Sequence, residues 1–166
     1  MTDLFLAEAA QGSAAPSAAV SRSSAAVFGE VAWLMMESPW HRGRTTEDFH
    51  RLVMPPIKLR QFRIFHEGTK PIAFVSWAFL SPDAEQRYLD NHHQLAATDW
   101  SGGQNAYIVD LVVSNLRFRK LLPYLRQDPL LSATRVRGLK MRNSKRFLLD
   151  LFVDAQGTHI RARSIA

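Results

Sequence analysis

The sequence predicts a mixed α/β fold in which helices flank a single, largely antiparallel sheet. Apolar residues recur at helical spacing from Val27 to Met35, whereas two apolar runs on either side of the turn at 66–71 are typical of an antiparallel hairpin. A third run, Ala106–Val113, has the composition of a buried central strand. With 166 residues, the chain is long enough to bury one core without disulfides or metals.

The beginning of the chain is predicted to be an extension that precedes a single domain. Residues 9–26 are rich in Ala and Ser and contain almost no large apolar side chains, although a weak Ala-rich helix is an alternative interpretation. We therefore assign residues 1–26 to a flexible extension and residues 27–166 to the folded domain. The first helix is expected to run from Val27 to about Glu37, because Pro39 prevents its continuation.

Capping and turn residues define the elements between the first helix and the central strand. Ser or Thr before an apolar run caps a helix, Pro begins or ends one, and clusters of Gly and Pro mark turns. The predicted elements are a short helix from Thr45 or Thr46 to Pro55–Pro56, strands Leu59–Phe65 and Ile72–Phe79, a helix from Pro82 to about His93 with Tyr88 and Leu89 facing inward, and a tight loop Asp99–Gly103.

The last third of the chain is basic and is predicted to close the sheet. Its expected elements are a basic amphipathic helix Leu116–Arg126 and strands Thr134–Met141 and Phe147–Val153, joined by a turn at 142–145. The formal net charge of the chain is +6, and most of the excess lies beyond Arg117. A basic surface attracts RNA, anionic lipid or a small acidic carrier protein, and charge alone does not choose among them.

Several classes of protein are excluded or disfavoured by composition. The chain has no cysteine, which excludes disulfides, thiolate catalysis and cysteine-ligated zinc. It has no secretory leader pattern and no apolar run of the roughly 20 residues that cross a bilayer, so a soluble, cytoplasmic protein is expected. Asp90, His92 and His93 are not expected to bind a metal, because adjacent histidines on a helix diverge around its axis.

The candidate chemistry begins with Asp110, which lies in the middle of the apolar run Ala106–Val113. An unpaired carboxylate there would cost several kcal/mol, so a partner is expected. His41 is a candidate partner, since it follows the predicted end of the first helix, and a His–Asp pair in a pocket acts as a general base. A structural ion pair with Arg42 or Arg60 is an equally ordinary explanation of Asp110.

Several motifs, taken together and in order, make the chain specific. It resembles the toxin-activating lysine acyltransferases from about Val27 to Val113. The motifs that carry the resemblance are Gly29-Glu30-Val31-Ala32-Trp33-Leu34, Ser38-Pro39-x-His41-Arg42, the run Pro71–Ser81, Tyr88-Leu89, Asp99-Trp100-Ser101-Gly102-Gly103 and Ile108-Val109-Asp110.

The resemblance implies a fold similar to the GNAT acetyltransferases and an activity inside the producing bacterium. The implied reaction moves a fatty acyl chain from acyl carrier protein to internal lysines of an RTX-type protoxin, with no further cofactor. It places the catalytic histidine on His41 and the catalytic aspartate on Asp110, and gives Ser38, Tyr88 and Gly103 roles in activity or in the shape of the site. It also implies a homodimer.

The acyl transfer itself requires a proton acceptor, oxyanion donors and an apolar slot. His41 would deprotonate the attacking lysine amine, with Asp110 holding the tautomer, or would itself carry the acyl group briefly. Backbone N–H groups of the central strand or of Gly102-Gly103 are candidate oxyanion donors. Candidate slot residues are Trp33, Met35, Trp77 and Phe79.

Two other functions stay open from the sequence alone, besides a degenerate member of the family that binds without catalysis. One is a GNAT-like N-acyltransferase that uses acyl-CoA, although the chain lacks the Gly-rich pyrophosphate loop of such enzymes. The other is a basic nucleic-acid-binding domain without catalysis, although no RNA motif with interleaved aromatic residues is present. Given the resemblance, we expect the basic second half to dock an acidic acyl carrier protein.

Overall fold

The computed structural model describes residues 22–90, 94–114, 135–142, 145–154 and 157–165. The helices are α1 Ser24–Glu37, α2 Thr46–Asp48, α3 Met54–Leu59 and α4 Pro82–Asp90, with a π-helical turn Phe49–Val53 and a 3-10 turn Ala97–Ser101. The strands are β1 Phe62–Glu67, β2 Lys70–Leu80, β3 Asn105–Val113, β4 Val136–Arg142, β5 Lys145–Asp154 and β6 Gly157–Ile165. In these ranges the model contains no helix with both the length and the apolar character needed to cross a membrane.

The six strands form one sheet in the order β1-β2-β3-β4-β5-β6. All neighbouring pairs are antiparallel except β3 and β4, which are parallel over Ala106–Ile108 and Val136–Gly138. The fold class predicted from the sequence is therefore confirmed: a mixed α/β protein with a mostly antiparallel sheet and flanking helices, consistent with a GNAT-like single domain.

Helix α1 begins at Ser24, three residues before the predicted domain boundary, and ends at Glu37 as predicted. Ser23 caps it, because its hydroxyl accepts a hydrogen bond from the Ala26 N–H at 3.2 Å. The remainder of the predicted extension, residues 1–21, lies outside the described residues. The buried side chains of α1 pack against Phe74 and Val112 of the sheet.

The predicted end of the second helix at Pro55–Pro56 is wrong. Thr45 caps the short helix α2 in a capping box with Asp48, but the chain continues through the π-helical turn into α3. The prolines occupy the first turn of α3, where a missing N–H costs no hydrogen bond. The helical segment consequently extends to Leu59, and β1 starts at Phe62 rather than Leu59.

The closing part of the sheet contains one more strand than predicted. The turn at 142–145 is confirmed by the pairing of Arg142 with Lys145, but no strand was predicted where β6 lies. Its cations alternate with Ile160 and Ala162, so the period of two was hidden by the charge. The tight loop predicted at 99–103 is partly a 3-10 turn. The predicted helix Leu116–Arg126 and residues 91–93 of the predicted helix from Pro82 lie outside the described residues.

Strand β2 is buried along most of its length and separates two apolar clusters. On one face of the sheet, Phe74 packs with α1 and α3. On the other face, Trp77 packs with Ala73, Val75 and the first residues of β3 and β4. The helices therefore cover the face to which Phe74 belongs, and a side chain of β2 or β3 must point to that face to meet the loop that follows α1.

Candidate active site

The loop that follows α1 is folded back by its own backbone hydrogen bonds. The Ser38 N–H donates to the Leu34 carbonyl at 3.1 Å, and the Ser38 carbonyl accepts from the N–H groups of His41 and Arg42, each at 3.0 Å. Pro39 cannot continue the helix, so the chain turns immediately after its end. The turn returns the His41 side chain to the sheet instead of leaving it in solvent.

A β-bulge in β3 decides the direction of Asp110. Ser76 pairs with Asp110, whereas the next residue of β2, Trp77, pairs with Ile108, so Val109 is an extra residue in the ladder. Ile108 packs with Trp77 on the outer face, while Val109 packs with the cluster beneath α4. Without the bulge, strict alternation would place Asp110 on the face of Ile108. With it, Val109 and Asp110 both point towards the helices.

Three side chains are linked in a line at this point. The His41 Nε2 atom lies 3.1 Å from Asp110 Oδ1, and the His41 Nδ1 atom lies 2.8 Å from Ser38 Oγ. The side chains of His41 and Asp110 are 12% and 8% exposed, and Ser38 is buried. A carboxylate only accepts hydrogen bonds, so Nε2 carries the proton and Nδ1 accepts from the Ser38 hydroxyl. The basic lone pair of His41 is therefore on Nδ1.

The second oxygen of Asp110 has a different environment. Oδ1 also accepts the Leu111 N–H at 3.0 Å, but Oδ2 is buried and has no hydrogen bond to any of the described residues. The Arg44 guanidinium lies 3.5 Å from Oδ2. Directly across the ladder, the buried Ser76 hydroxyl also lacks a hydrogen bond in the described structure.

Arg44 is a residue that the sequence analysis missed, since Arg42 and Arg60 were the expected cations. The available signal was its spacing: Arg44 follows His41 by three residues in a turn, and its N–H donates to the His41 carbonyl at 2.9 Å. Both partners considered for Asp110, a histidine and an arginine, are therefore present at once.

Tyr88 of α4 borders the same buried region. Its ring packs edge-on against Tyr107 with the ring centroids 5.7 Å apart. Burial, and secondarily the negative charge of Asp110, raise the pKa of the Tyr88 phenol. The phenol consequently stays neutral beside the carboxylate at physiological pH.

The structure does not bring the other predicted site residues to this pair. Trp33 is 54% exposed on the outer side of α1, and Trp77 is buried on the opposite face of the sheet from Asp110. Gly103 packs against the backbone of Leu80 so closely that a side chain would clash there. Its N–H donates to the Phe79 carbonyl at 2.8 Å, so it is not free to bind an oxyanion.

Comparison with known proteins identifies the class to which this fold and site belong. The model of the HlyC family, described as the RTX toxin acyltransferase family, matches residues 20–148. The chain therefore belongs to the RTX toxin acyltransferase family. The match includes the His41 loop, α4 and the strand that carries Asp110.

Individual relatives are similar over a shorter part of the chain. The leukotoxin-activating lysine-acyltransferase LktC of a Pasteurella haemolytica-like species is 35% identical over 86 residues, which are 52% of each chain. The protein-lysine myristoyltransferase HlyC of Escherichia coli is 33% identical over 113 residues, which are 66% of this chain and 65% of the relative. The lysine-acyltransferase RtxC of Vibrio cholerae is 32% identical over 108 residues, which are 59% of this chain and 71% of the relative. The chain thus spans about half the length of the first of these relatives.

Proposed function

We propose that this chain is a protein-lysine fatty acyltransferase that moves an acyl chain from acyl carrier protein to internal lysines of an RTX-type protoxin. Family membership and the names of the relatives, which include toxin-activating lysine acyltransferases and a protein-lysine myristoyltransferase, support the reaction class. The observation that carries the proposal is the contact of His41 Nε2 with Asp110 Oδ1 at 3.1 Å, between two of the motifs that resemble the family.

In the proposed reaction, His41 is the proton acceptor. The neutral lysine amine attacks the thioester carbonyl carbon, so that a C–N bond forms and the C–S bond breaks. The amine proton passes to His41 Nδ1, directly or through the Ser38 hydroxyl that already donates to it at 2.8 Å. His41 then returns the proton to the departing carrier thiolate. Asp110 fixes the tautomer and stabilises the imidazolium that forms between these two transfers.

A route through an acyl-histidine is the alternative at the same atom. In that route Nδ1 attacks the thioester and the carrier leaves as a thiolate. The lysine amine then takes the acyl group from the imidazole, and the proton that the amine loses converts the thiolate to the thiol. Mixing the enzyme with acylated carrier and no acceptor separates the two routes. Carrier thiol released in one equivalent, with the acyl mass on a peptide containing His41, supports the second route, whereas intact acyl carrier supports the first.

The direct test of the function is acylation of an RTX-type protoxin co-expressed with this chain. The wild-type chain is expected to add fatty acyl mass to protoxin lysines, detected by intact mass and peptide mapping. The variant His41→Ala is expected to fold and to transfer no acyl group, because no other base contacts Asp110 Oδ1 in the described structure. A protoxin that stays unmodified with the wild-type chain contradicts the proposal.

The donor is tested by offering the same acyl chain on acyl carrier protein and on coenzyme A. We expect the carrier-bound chain to be used, since an exposed cation such as Arg163 suits an acidic protein. Part of the basic half is already neutralised internally, because Arg135 and Arg137 pair with Asp150. Preference for coenzyme A would instead indicate the GNAT-like alternative. Salt-sensitive RNA binding without acyl transfer would indicate a nucleic-acid-binding domain.

We further propose a homodimer that acts in the cytoplasm of the producing cell. Trp33, Met36 and Trp40 are 54%, 68% and 91% exposed along one helix and the loop after it, and such a patch of large apolar side chains favours contact with another chain. Light scattering during gel filtration tests the dimer. The double variant Trp33→Glu with Met36→Glu is expected to be monomeric if this patch is the interface.

A further inference from the structure

The carboxylate of Asp110 is held unequally at its two oxygens. Oδ1 accepts from His41 Nε2 and from the Leu111 N–H, whereas Oδ2 is buried and, within the part of the chain that the structure describes, has no hydrogen bond. The terminal torsion of an aspartate is broad, so two contacts on one oxygen do not by themselves fix the plane of the group. Whatever holds Oδ2 therefore decides whether Oδ1 stays directed at the imidazole.

The group at Oδ2 is the guanidinium of Arg44, whose Nη2 atom lies 3.5 Å away. Arg44 belongs to the same turn as His41, because its N–H donates to the His41 carbonyl at 2.9 Å. One short loop thus supplies both groups that contact the carboxylate from the helix side. Since Asp110 is 8% exposed, the opposite charge of Arg44 also offsets part of the cost of burying the carboxylate.

We propose that Arg44 is a positioning residue of this acyltransferase, which holds Oδ2 of Asp110 so that Oδ1 faces His41 Nε2. Arg44 acts through Asp110 and does not touch the reacting atoms. The proposal rests on the function proposed above for His41 and Asp110, and adds a third residue to their arrangement.

The same geometry also suits a second role for Arg44, which is to bind the carrier protein. Its side chain is 29% exposed, so its guanidinium can also reach an acidic carrier protein. The two roles differ in what they change. A group that positions Asp110 affects kcat and has no effect once Asp110 is gone, whereas a group that binds the carrier affects KM and acts whether or not Asp110 is present.

The experiment compares Arg44→Met and Arg44→Lys with a matched control. Arg51 offers the control, because its Nη2 atom lies 3.5 Å from Asp48 Oδ1 in an ion pair of the same length. Arg44→Met is expected to lower kcat about 10- to 100-fold with KM for acyl carrier unchanged, matching the loss of one charge-assisted contact. Arg44→Lys should recover part of this loss, and Arg51→Met should leave kcat unchanged.

The same substitution in an Asp110→Asn background tests whether Arg44 acts through Asp110. Arg44→Met is expected to reduce the residual rate of that variant by less than about twofold, because interacting residues are not additive. An equal loss in both backgrounds, or a rise in KM with unchanged kcat, overturns the proposal in favour of carrier binding. Circular dichroism and thermal unfolding show that each variant compared is folded.

A measurement without substrate keeps this inference separate from the proposed function. Nitrogen-15 resonances of the His41 ring, assigned by their loss in His41→Ala, report which nitrogen carries the proton. The wild-type ring is expected to be protonated on Nε2 and Arg44→Met to show a mixture of tautomers, while Arg51→Met resembles the wild type. If the wild-type chain acylates no protoxin but the tautomer shifts, the function fails and the positioning role stands. If acylation occurs and neither kcat nor the tautomer changes, the positioning role fails alone.

Discussion

Asp110 and Glu85 are two carboxylates beside β3, each in contact with an arginine, but their hydrogen bonding differs. Glu85 Oε1 accepts from the Tyr107 hydroxyl at 2.6 Å and from Arg137, and Oε2 accepts from Asn105 Nδ2 at 2.6 Å. Among the described residues, Asp110 has hydrogen bonds on Oδ1 alone, while Arg44 approaches Oδ2 at 3.5 Å. The comparison distinguishes Glu85, which joins secondary-structure elements, from Asp110, which is available for the proposed reaction.

The contrast has a physical basis. A half-buried carboxylate with a donor on every oxygen stabilises one arrangement, and Glu85 in this way joins α4 to β3 and β4. The partner of Asp110 is instead the His41 imidazole, the proposed proton acceptor of the reaction. Burial and the hydrogen bond to Glu85 raise the pKa of Tyr107, so that partner of Glu85 stays neutral. The Glu85 cluster therefore joins elements of the fold, whereas the Asp110 pair holds the group that is proposed to accept a proton.

The largest effect is expected from Asp110→Asn. An amide at this position can hold the wrong His41 tautomer, since it can donate to Nε2 where the carboxylate only accepts. The rate of acyl transfer should fall about 10³-fold or more, as in other His–Asp pairs. Acylation kinetics measure the loss, and urea unfolding checks that the domain is folded. A rate within about tenfold of the wild type would make Asp110 resemble Glu85, a structural group.

The next effect concerns stability. Glu85→Ala leaves the hydroxyl of Tyr107, the amide of Asn105 and the guanidinium of Arg137 without their common acceptor. The free energy of unfolding should fall by about 2–3 kcal/mol, with kcat of the folded fraction little changed. Asp83→Ala, at an exposed position of the same helix, is the control and should change stability by less than about 0.5 kcal/mol. Loss of kcat without loss of stability would remove the distinction between the two carboxylates.

A smaller effect is expected from Ser38→Ala. The substitution removes the hydrogen bond from the Ser38 hydroxyl to His41 Nδ1, but keeps the backbone bonds that form the turn. The rate should fall about tenfold, which corresponds to one hydrogen bond of about 1.4 kcal/mol. Steady-state kinetics with acylated carrier measure it. A loss as large as that of Asp110→Asn would indicate that Ser38 takes part directly in proton transfer.

The smallest effect is a difference in alkaline stability between the wild type and Tyr88→Phe. Burial raises the pKa of Tyr88 above that of an unfolded phenol, which is about 10. The neutral phenol therefore stabilises the fold fully below pH 10, and this contribution is lost as the pH rises towards the folded pKa. At pH 10.5 the wild type should lose about 1 kcal/mol of its free energy of unfolding through this group, and Tyr88→Phe should not show that loss. Chemical unfolding of the wild type and of Tyr88→Phe at pH 8 and pH 10.5 measures this difference. Equal losses of unfolding free energy in the two proteins would contradict a raised pKa of Tyr88.

Local patterns in the sequence determined much of the fold. The sequence predicted a helix cap at Thr45 or Thr46, the end of α1 before Pro39, the hairpin of β1 and β2 and the central strand β3, all of which depend on neighbouring residues. The errors were of the same local kind. The prolines of α3 act as helix starters in their context, and the alternation in β6 was hidden by its cations. The resemblance to the acyltransferases singled out His41, Asp110 and Ser38 before any distance was known.

What the tertiary structure decided is which of these residues meet. The bulge at Val109 directs Asp110 to the helix face, and the pairing that creates it joins β2 and β3, about thirty residues apart in sequence. The same packing leaves Trp33 exposed and places Trp77 on the opposite face of the sheet from Asp110. It also brings Arg44, rather than Arg42 or Arg60, to the Asp110 carboxylate. Sequence alone specified the residue types for the chemistry, because local patterns reveal them. Their direction depends on strand register, which only contacts between distant segments fix.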